Sequence, residues 1–309
     1  MTNSTAHCRT RITTQGGVEL RQELDNPMVD RGATAVDWGT ARDRWESYIE
    51  KTRSTSLRFD QLDGDSTIYR ECSHRWSPDY QEQRYAKLKD MERGIDDYYD
   101  NLWTGMVTLT ASSDNIAPVD HLDELLEGRR NALAALRRSL CDRTWDYWWV
   151  LEPHKSGYLH LHLAVVVEGP LIEKQLRPAV DAHLRTCGPA GREAHVDAIQ
   201  VREGRTISNV AAYLNAYLGD YANDPLEADE HERRANALLW GTQRRETGAS
   251  RRLRRMMQGD NPEPEDDWEL VAMVNGDGDE RPIDSSVPGG VDTVTTEVVW
   301  GQGTDPPPA

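Results

Sequence analysis

The chain has 309 residues, 53 of them acidic and 36 basic, for a formal charge of −17 at pH 7. Lysine occurs only at Lys51, Lys87, Lys89, Lys155 and Lys174, the other basic residues being arginine, and such a carboxylate-rich surface keeps a chain hydrated in concentrated salt. The longest nearly apolar run, Leu159 to Val167, has nine residues and includes two histidines, against the ~20 needed to cross a bilayer, so no membrane helix is expected. Cys8, Cys72, Cys141 and Cys187 stand far apart without a CxxC pair, which argues against a disulfide framework, and Cys72 with His74 makes only half of a zinc knuckle. No basic segment followed by an apolar stretch opens the chain, so the expected location is the cytoplasm.

Residues 1–78 are charged and weakly periodic and read as an irregular or partly helical arm. Few breakers and many helix formers predict a helix from Tyr80 to about Asp100, followed by a strand, WTGMVTLTAS, closed by the turn-like SSDN. Asp120 can cap a helix from His121 to about Arg143, where Leu122, Leu125, Leu126, Leu133, Leu136 and Leu140 recur at helical spacing. Two strands follow, Asp146 to Glu152 and Tyr158 to Gly169, joined by PHKSG, whose proline and glycine suit a hairpin. A helix from Leu171 to about Cys187 contains Pro178 as a kink, then come a strand from about Ala194 to Val201 and a helix from about Ile207 to Leu218. This β-α-β-β-α-β-α order predicts an α+β fold of the split βαβ, ferredoxin-like kind, an antiparallel sheet with helices on one face. The core is expected to span 79–225. A helical, arginine-rich extension follows over 226–259, and a disordered acidic tail, rich in Pro and Gly, over 260–309.

The charge divides unevenly. Residues 1–100 carry a net −4, 101–221 a net −3, 222–259 a net +2 and 260–309 a net −12. Most of the acid excess therefore lies outside the expected core, and the total does not exclude nucleic acid. Arg244, Arg245, Arg251, Arg252, Arg254 and Arg255 form a candidate backbone-contacting segment or, alternatively, a solvated helix face paired with the acidic tail.

Two constellations can carry chemistry. His160 and His162 lie two apart on a strand, so both imidazoles point to one face, as a divalent ion requires, although two histidines on a solvated edge would read the same. Glu152, on the strand paired with theirs, is the candidate third ligand, and His154 in the loop is its rival. The segment NVAAYLNAYLGDY places Tyr213 and Tyr217 four apart, on one face of a helix. They read either as core aromatics or as nucleophiles, which would need help because a phenol pKa is near ~10. Thr108 and Thr110 share a strand face and read as phosphate contacts or as ordinary β-formers. Trp145, Tyr147, Trp148 and Trp149 could stack bases, with at least two of the tryptophans expected inside.

Three of these segments, in order, resemble the motifs of HUH endonucleases, and among them the rolling-circle replication initiators of plasmids and viruses, including those of halophilic archaea. MVTLTAS, Met106 to Ser112, is similar to the first motif, EPHKSGYLHLHLAVVVEG, Glu152 to Gly169, to the second, and AAYLNAYLGDY, Ala211 to Tyr221, to the third. The family's third motif usually carries a lysine one helical step from a tyrosine, where this chain has Ala216 and Asp220. The resemblance implies that His160 and His162, with Glu152, hold Mn²⁺ or Mg²⁺, and that Tyr213 or Tyr217 attacks single-stranded origin DNA to leave a 5′-phosphotyrosine. Thr108, Thr110, Arg251, Arg252, Arg254 and Arg255 would contact that DNA. No GxxxxGK loop is visible, so a host helicase and polymerase are implied partners. The alternatives are a non-catalytic ferredoxin-like nucleic-acid-binding regulator and a related HUH transposase.

Overall fold

The computed structural model describes residues 18–19, 35–36, 38–62, 64–72, 74–203, 224–257 and 268–282. In chain order the elements are β1 (Val18–Glu19), β2 (Ala35–Val36), α1 (Trp38–Arg53), β3 (Ser56–Gln61), β4 (Thr67–Glu71), α2 (Pro78–Tyr98), β5 (Leu102–Leu109), α3 (Pro118–Ser139), β6 (Trp145–Pro153) and β7 (Leu159–Glu168). They continue with α4 (Glu173–Thr186), β8 (Ile199–Glu203), α5 (Glu230–Thr242), β9 (Thr247–Ala249), α6 (Arg251–Met256), β10 (Trp268–Val274) and β11 (Glu280–Pro282). Among the described residues no helix is long and apolar enough to cross a membrane.

The main sheet has the order β8-β5-β7-β6-β9, and each neighbouring pair is antiparallel. Its first four strands, with α3 and α4 as crossovers, take the split βαβ arrangement that the sequence predicted, so the α+β class holds. Period-two alternation on β7 puts Leu161, Leu163 and Val165 on one face, all fully buried. They belong to the same core as Leu122, Leu125 and Leu136 of α3 and Leu176 and Val180 of α4. The layers approach closely where glycine removes a side chain. A Cβ on Gly105 would lie 2.4 Å from Leu176 Cδ1, and one on Gly128 would lie 2.1 Å from Nδ1 of His183.

A second sheet has the order β11-β10-β3-β4, again antiparallel. Between the sheets' supporting helices, α1 presents buried Ala41, Trp45, Tyr48 and Ile49, and α5 presents buried Ala235, Leu238 and Leu239. Aromatic rings bind this layer, with Trp45 edge-on to Trp76 at 5.5 Å and Tyr48 against Trp240 at 5.5 Å. Trp148 and Trp149 are buried, as was expected of at least two of the three tryptophans in that run.

Several expectations require correction. The segment 260–309 is not wholly without structure, because Trp268–Val274 forms β10 and pairs along the length of β3. The tail's average composition concealed one apolar run, WELVAMV, whose partner lies some two hundred residues earlier. The N-terminal arm supplies α1, β3 and β4. The arginine-rich extension is not purely helical either, since Thr247–Ala249 joins the main sheet as β9. The strand expected near 194–201 begins at Ile199, after a 3-10 turn over Glu193–His195. Asp120 lies in the first turn of α3 rather than at its cap, because Pro118 starts the helix with its fixed φ. The helix expected over Ile207–Leu218 lies outside the described residues.

His74 is buried, its Nδ1 accepts the Trp76 N–H at 3.2 Å, and its ring lies between Tyr48 and Trp76. Burial, reinforced by the charges of Arg53 and Arg75, holds its imidazole down at about 4. His183 is likewise held at about 4, chiefly by burial. Because these folded values lie below that of an exposed imidazole, the unfolded chain binds the extra protons. Stability present above about pH 6.5 is therefore lost as pH falls toward 4. Thermal unfolding at fixed salt should show a falling midpoint across that window, and His183→Gln should flatten the fall. A wild-type midpoint constant from pH 7 to pH 4.5 would refute this.

Candidate metal centre

The hairpin between β6 and β7 is built around the sequence Pro153–Gly157. The His154 N–H donates to the Tyr158 carbonyl at 2.7 Å and the Gly157 N–H to the His154 carbonyl at 2.7 Å. Gly157 has φ of 89°, a left-handed conformation that a glycine adopts without strain. This turn fixes the register, placing Glu152 opposite His160 and Val150 opposite His162, while the next strand places Thr108 opposite His162. Residues directly opposite share a face, so Thr108, Glu152, His160 and His162 converge away from α3 and α4.

The distances follow from that register. Oε2 of Glu152 lies 2.7 Å from Nε2 of His160 and 2.6 Å from Nε2 of His162. One ligand atom from each residue lies within 4.8 Å of the others. Burial alone would raise the Glu152 carboxyl, but the hydrogen bonds and charges of His160 and His162 outweigh it and hold it at about 2, fully ionised. Oγ1 of Thr108 is 3.2 Å from Nδ1 of His162. Nε2 of His162 donates to the carboxylate here; with an ion on Nε2 in place of that proton, Nδ1 would carry the hydrogen and donate to the Thr108 hydroxyl. Two imidazole nitrogens and one carboxylate oxygen make a compact three-ligand set. Around an ion with bonds of about 2.1 Å such atoms sit roughly 3 Å apart, so a small opening of the cluster would admit one. The rival ligand His154 is exposed and its Nδ1 faces Ser156 Oγ at 3.3 Å, with its ring 6.4 Å from that of His160.

The other sequence candidates are placed as follows. Tyr213 and Tyr217, with Ala216 and Asp220, lie outside the described residues. Thr110 stands just beyond β5; its Oγ1 is buried with no hydrogen-bond partner among the described residues. Arg251, Arg252, Arg254 and Arg255 lie on α6, but they do not form one free basic face. Arg252 turns inward, 3.2 Å from the buried Asp146 carboxylate and over the Tyr98 ring at 4.3 Å. Asp146 also accepts from the hydroxyls of Tyr99 at 2.7 Å and Ser250 at 2.5 Å, so Arg252 anchors the helix to β6. Arg251, Arg254 and Arg255 remain exposed.

Sequence reasoning missed the histidines that hold the backbone beside this site. Nε2 of His183 donates to the Thr110 carbonyl at 2.8 Å, Nε2 of His195 accepts the Thr110 N–H at 3.1 Å, and His121 Nε2 donates to the Ala111 carbonyl at 3.1 Å. Three rings thus fix the exit of β5, next to Thr108. The sequence carried no local signal for them: His121 and His183 are buried on α3 and α4 and His195 ends the 3-10 turn before β8, and their partners are backbone groups outside those elements.

Fold and site together define a ferredoxin-like α+β protein with a His-His-Glu cluster at the centre of an antiparallel sheet. The chain belongs to the family described as "Putative rep protein (DUF1424)", whose match covers residues 10–289, and it is Rep-like in that sense. A Halobacterium salinarum protein, described as an "Uncharacterized 36 kDa protein", is 37% identical over 298 residues, covering 88% of this chain and 94% of its own. A protein of the same description from Halobacterium sp. (strain GN101) is 32% identical over 290 residues, covering 84% of this chain and 88% of its own. No solved structure matches.

Proposed function

We propose that the chain is a rolling-circle replication initiator of the HUH type, which nicks and rejoins single-stranded origin DNA through a 5′-phosphotyrosine. The observation that carries this reading is the Glu152–His160–His162 cluster on the paired strands of a split βαβ sheet, and membership of a Rep family supports it. In this reading Glu152, His160 and His162 hold the ion. Their mixed nitrogen and oxygen set suits Mn²⁺ better than Mg²⁺, which favours oxygen octahedra. A bound ion there would polarise the scissile phosphate and offset charge on its oxygens.

The chain's own groups supply the rest. Thr108 holds the His162 ring so that Nε2 faces the carboxylate, which orients the ligand set before substrate arrives. Thr110, whose buried hydroxyl has no partner among the described residues, and exposed Arg251, Arg254 and Arg255 are offered as contacts to the strand, with Arg252 holding their helix in place. A phenol oxygen of Tyr213 or Tyr217 attacks the phosphorus and the 3′-oxygen leaves with a proton, so the new phosphotyrosine bond replaces one phosphodiester bond and conserves its energy for rejoining. The partners are single-stranded origin DNA and a host helicase and polymerase, and the place of action is the cytoplasm.

The test is an adduct assay. The full chain in molar salt with Mn²⁺ and single-stranded origin DNA is expected to give a protein-DNA species that survives boiling in detergent. It should be lost in the double variant Tyr213→Phe/Tyr217→Phe and in His162→Ala. Binding that ignores Mn²⁺ and leaves no adduct would instead support a non-catalytic regulator.

A further inference from the structure

The turn Gln243–Glu246 leads into β9 at the edge of the main sheet. The Leu151 N–H donates to the Glu246 carbonyl at 2.8 Å, so this turn is fastened beside the last residues of β6, about one strand spacing from Glu152. Arginines from several elements gather on it. Arg244 pairs with Asp123 of α3 at 2.7 Å, Arg75 donates to the Arg244 carbonyl at 3.2 Å, and Arg84 of α2 pairs with Glu246 at 2.9 Å. Arg129 of α3 lies over the Trp149 ring, 4.1 Å from its centroid.

Arg129 is the telling member. Its Nε is buried without a hydrogen-bond partner, and no carboxylate lies within ion-pair distance of it among the described residues. Burial lowers its affinity for the proton, and of the neighbouring charges Tyr147 raises it while those of Arg244 and Arg245 lower it further. In a chain of charge −17, where acid is abundant, this guanidinium stands beside Arg244 and Arg245 and has no carboxylate partner among the described residues. Stacking on an indole fixes the plane of a guanidinium and leaves its N–H edge for an oxyanion.

We propose that Arg129, Arg244 and Arg245 form a site for the phosphodiester backbone of single-stranded DNA at the β9 edge of the sheet. The identity of the anion rests on the DNA-handling reading above; the convergence of arginines does not. The site lies one strand away from Glu152, and it is separate from the arginines of α6. Arg129 and Arg244 stand on the α3 side of the sheet and the His-His-Glu cluster on the other, so a strand engaged at the cluster would pass round the β9 edge to reach them.

The test uses the full chain in EDTA, so that no ion at the cluster contributes, with labelled (dT)20 followed by fluorescence anisotropy across a series of KCl concentrations. R244Q/R245Q is expected to weaken binding at least tenfold and to make the slope of log K against log salt shallower by about 1.4, roughly 0.7 for each lost phosphate contact. R129Q should act in the same direction, while R93Q, an exposed arginine on α2, should leave affinity and slope at wild-type values. A double variant with wild-type thermal unfolding and wild-type affinity and slope would overturn the proposal, as would displacement of (dT)20 by millimolar inorganic phosphate. If R129Q does not fold, the double variant on the turn decides. Wild-type chain that binds in EDTA yet never forms an adduct would sink the nuclease reading and leave this site standing.

Discussion

Glu152→Gln is expected to lower the affinity of the chain for Mn²⁺ by at least ~100-fold, measured by calorimetric titration in molar KCl. Loss of a supporting partner alone costs a metal site 10- to 100-fold as an order of magnitude, and Glu152 is the single anionic donor in the set. Gln keeps the shape and one carbonyl oxygen but removes the charge that holds both imidazoles at 2.6 and 2.7 Å. The same variant should form no covalent adduct with DNA, while its thermal unfolding in EDTA should change by only a few degrees, because the carboxylate is partly exposed. Mn²⁺ affinity equal to that of the wild type would remove Glu152 from the centre. His154→Ala, in the neighbouring loop, should bind Mn²⁺ as the wild type does.

Leu161→Ala should destabilise the fold by about 2–5 kcal/mol, the range for emptying a fully buried aliphatic site. Leu161 lies between His160 and His162 yet points the other way, into the layer with α3 and α4, with no exposure at all. His160→Ala, one residue earlier and with its side chain partly exposed on the opposite face, should cost less than about 1 kcal/mol. Guanidinium unfolding of the two variants in the same salt separates them; equal shifts in midpoint would mean that β7 does not alternate between core and site. The contrast also protects the metal experiments, because it shows that the histidine face can be altered without loss of the scaffold.

The alternation on β7 and the Pro-Gly turn before it were legible because both are local. They fix which side chains share a face, and a two-strand hairpin then brings Glu152 to the histidines. Thr108 could be seen as a strand residue, but its role on His162 depends on the pairing of β5 with β7, which connects residues 54 apart. The run RRLRR showed its charge and not its direction; Arg252 turns inward because Asp146, over a hundred residues earlier, is buried beneath it. His183 and His195 left no local pattern, since their partners are backbone groups of Thr110. The tyrosines of the third motif fall outside the described residues, so the proposal about them stands on the sequence resemblance.

The second sheet sets an order in time. β10 lies between β3 and β11, and its partner β3 is made about two hundred residues earlier in synthesis. Until the ribosome has released residue 274, β3 and β4 are a bare hairpin, which is marginal alone in water, with one edge of unpaired backbone groups. The arm next to α1 must therefore wait, while the main sheet completes its β5–β8 strands, and a nascent chain cut short in the acidic segment would carry that open edge into the cell. β10 thus covers the open edge of the β3–β4 hairpin only after the segment from residue 56 to residue 274 has been made.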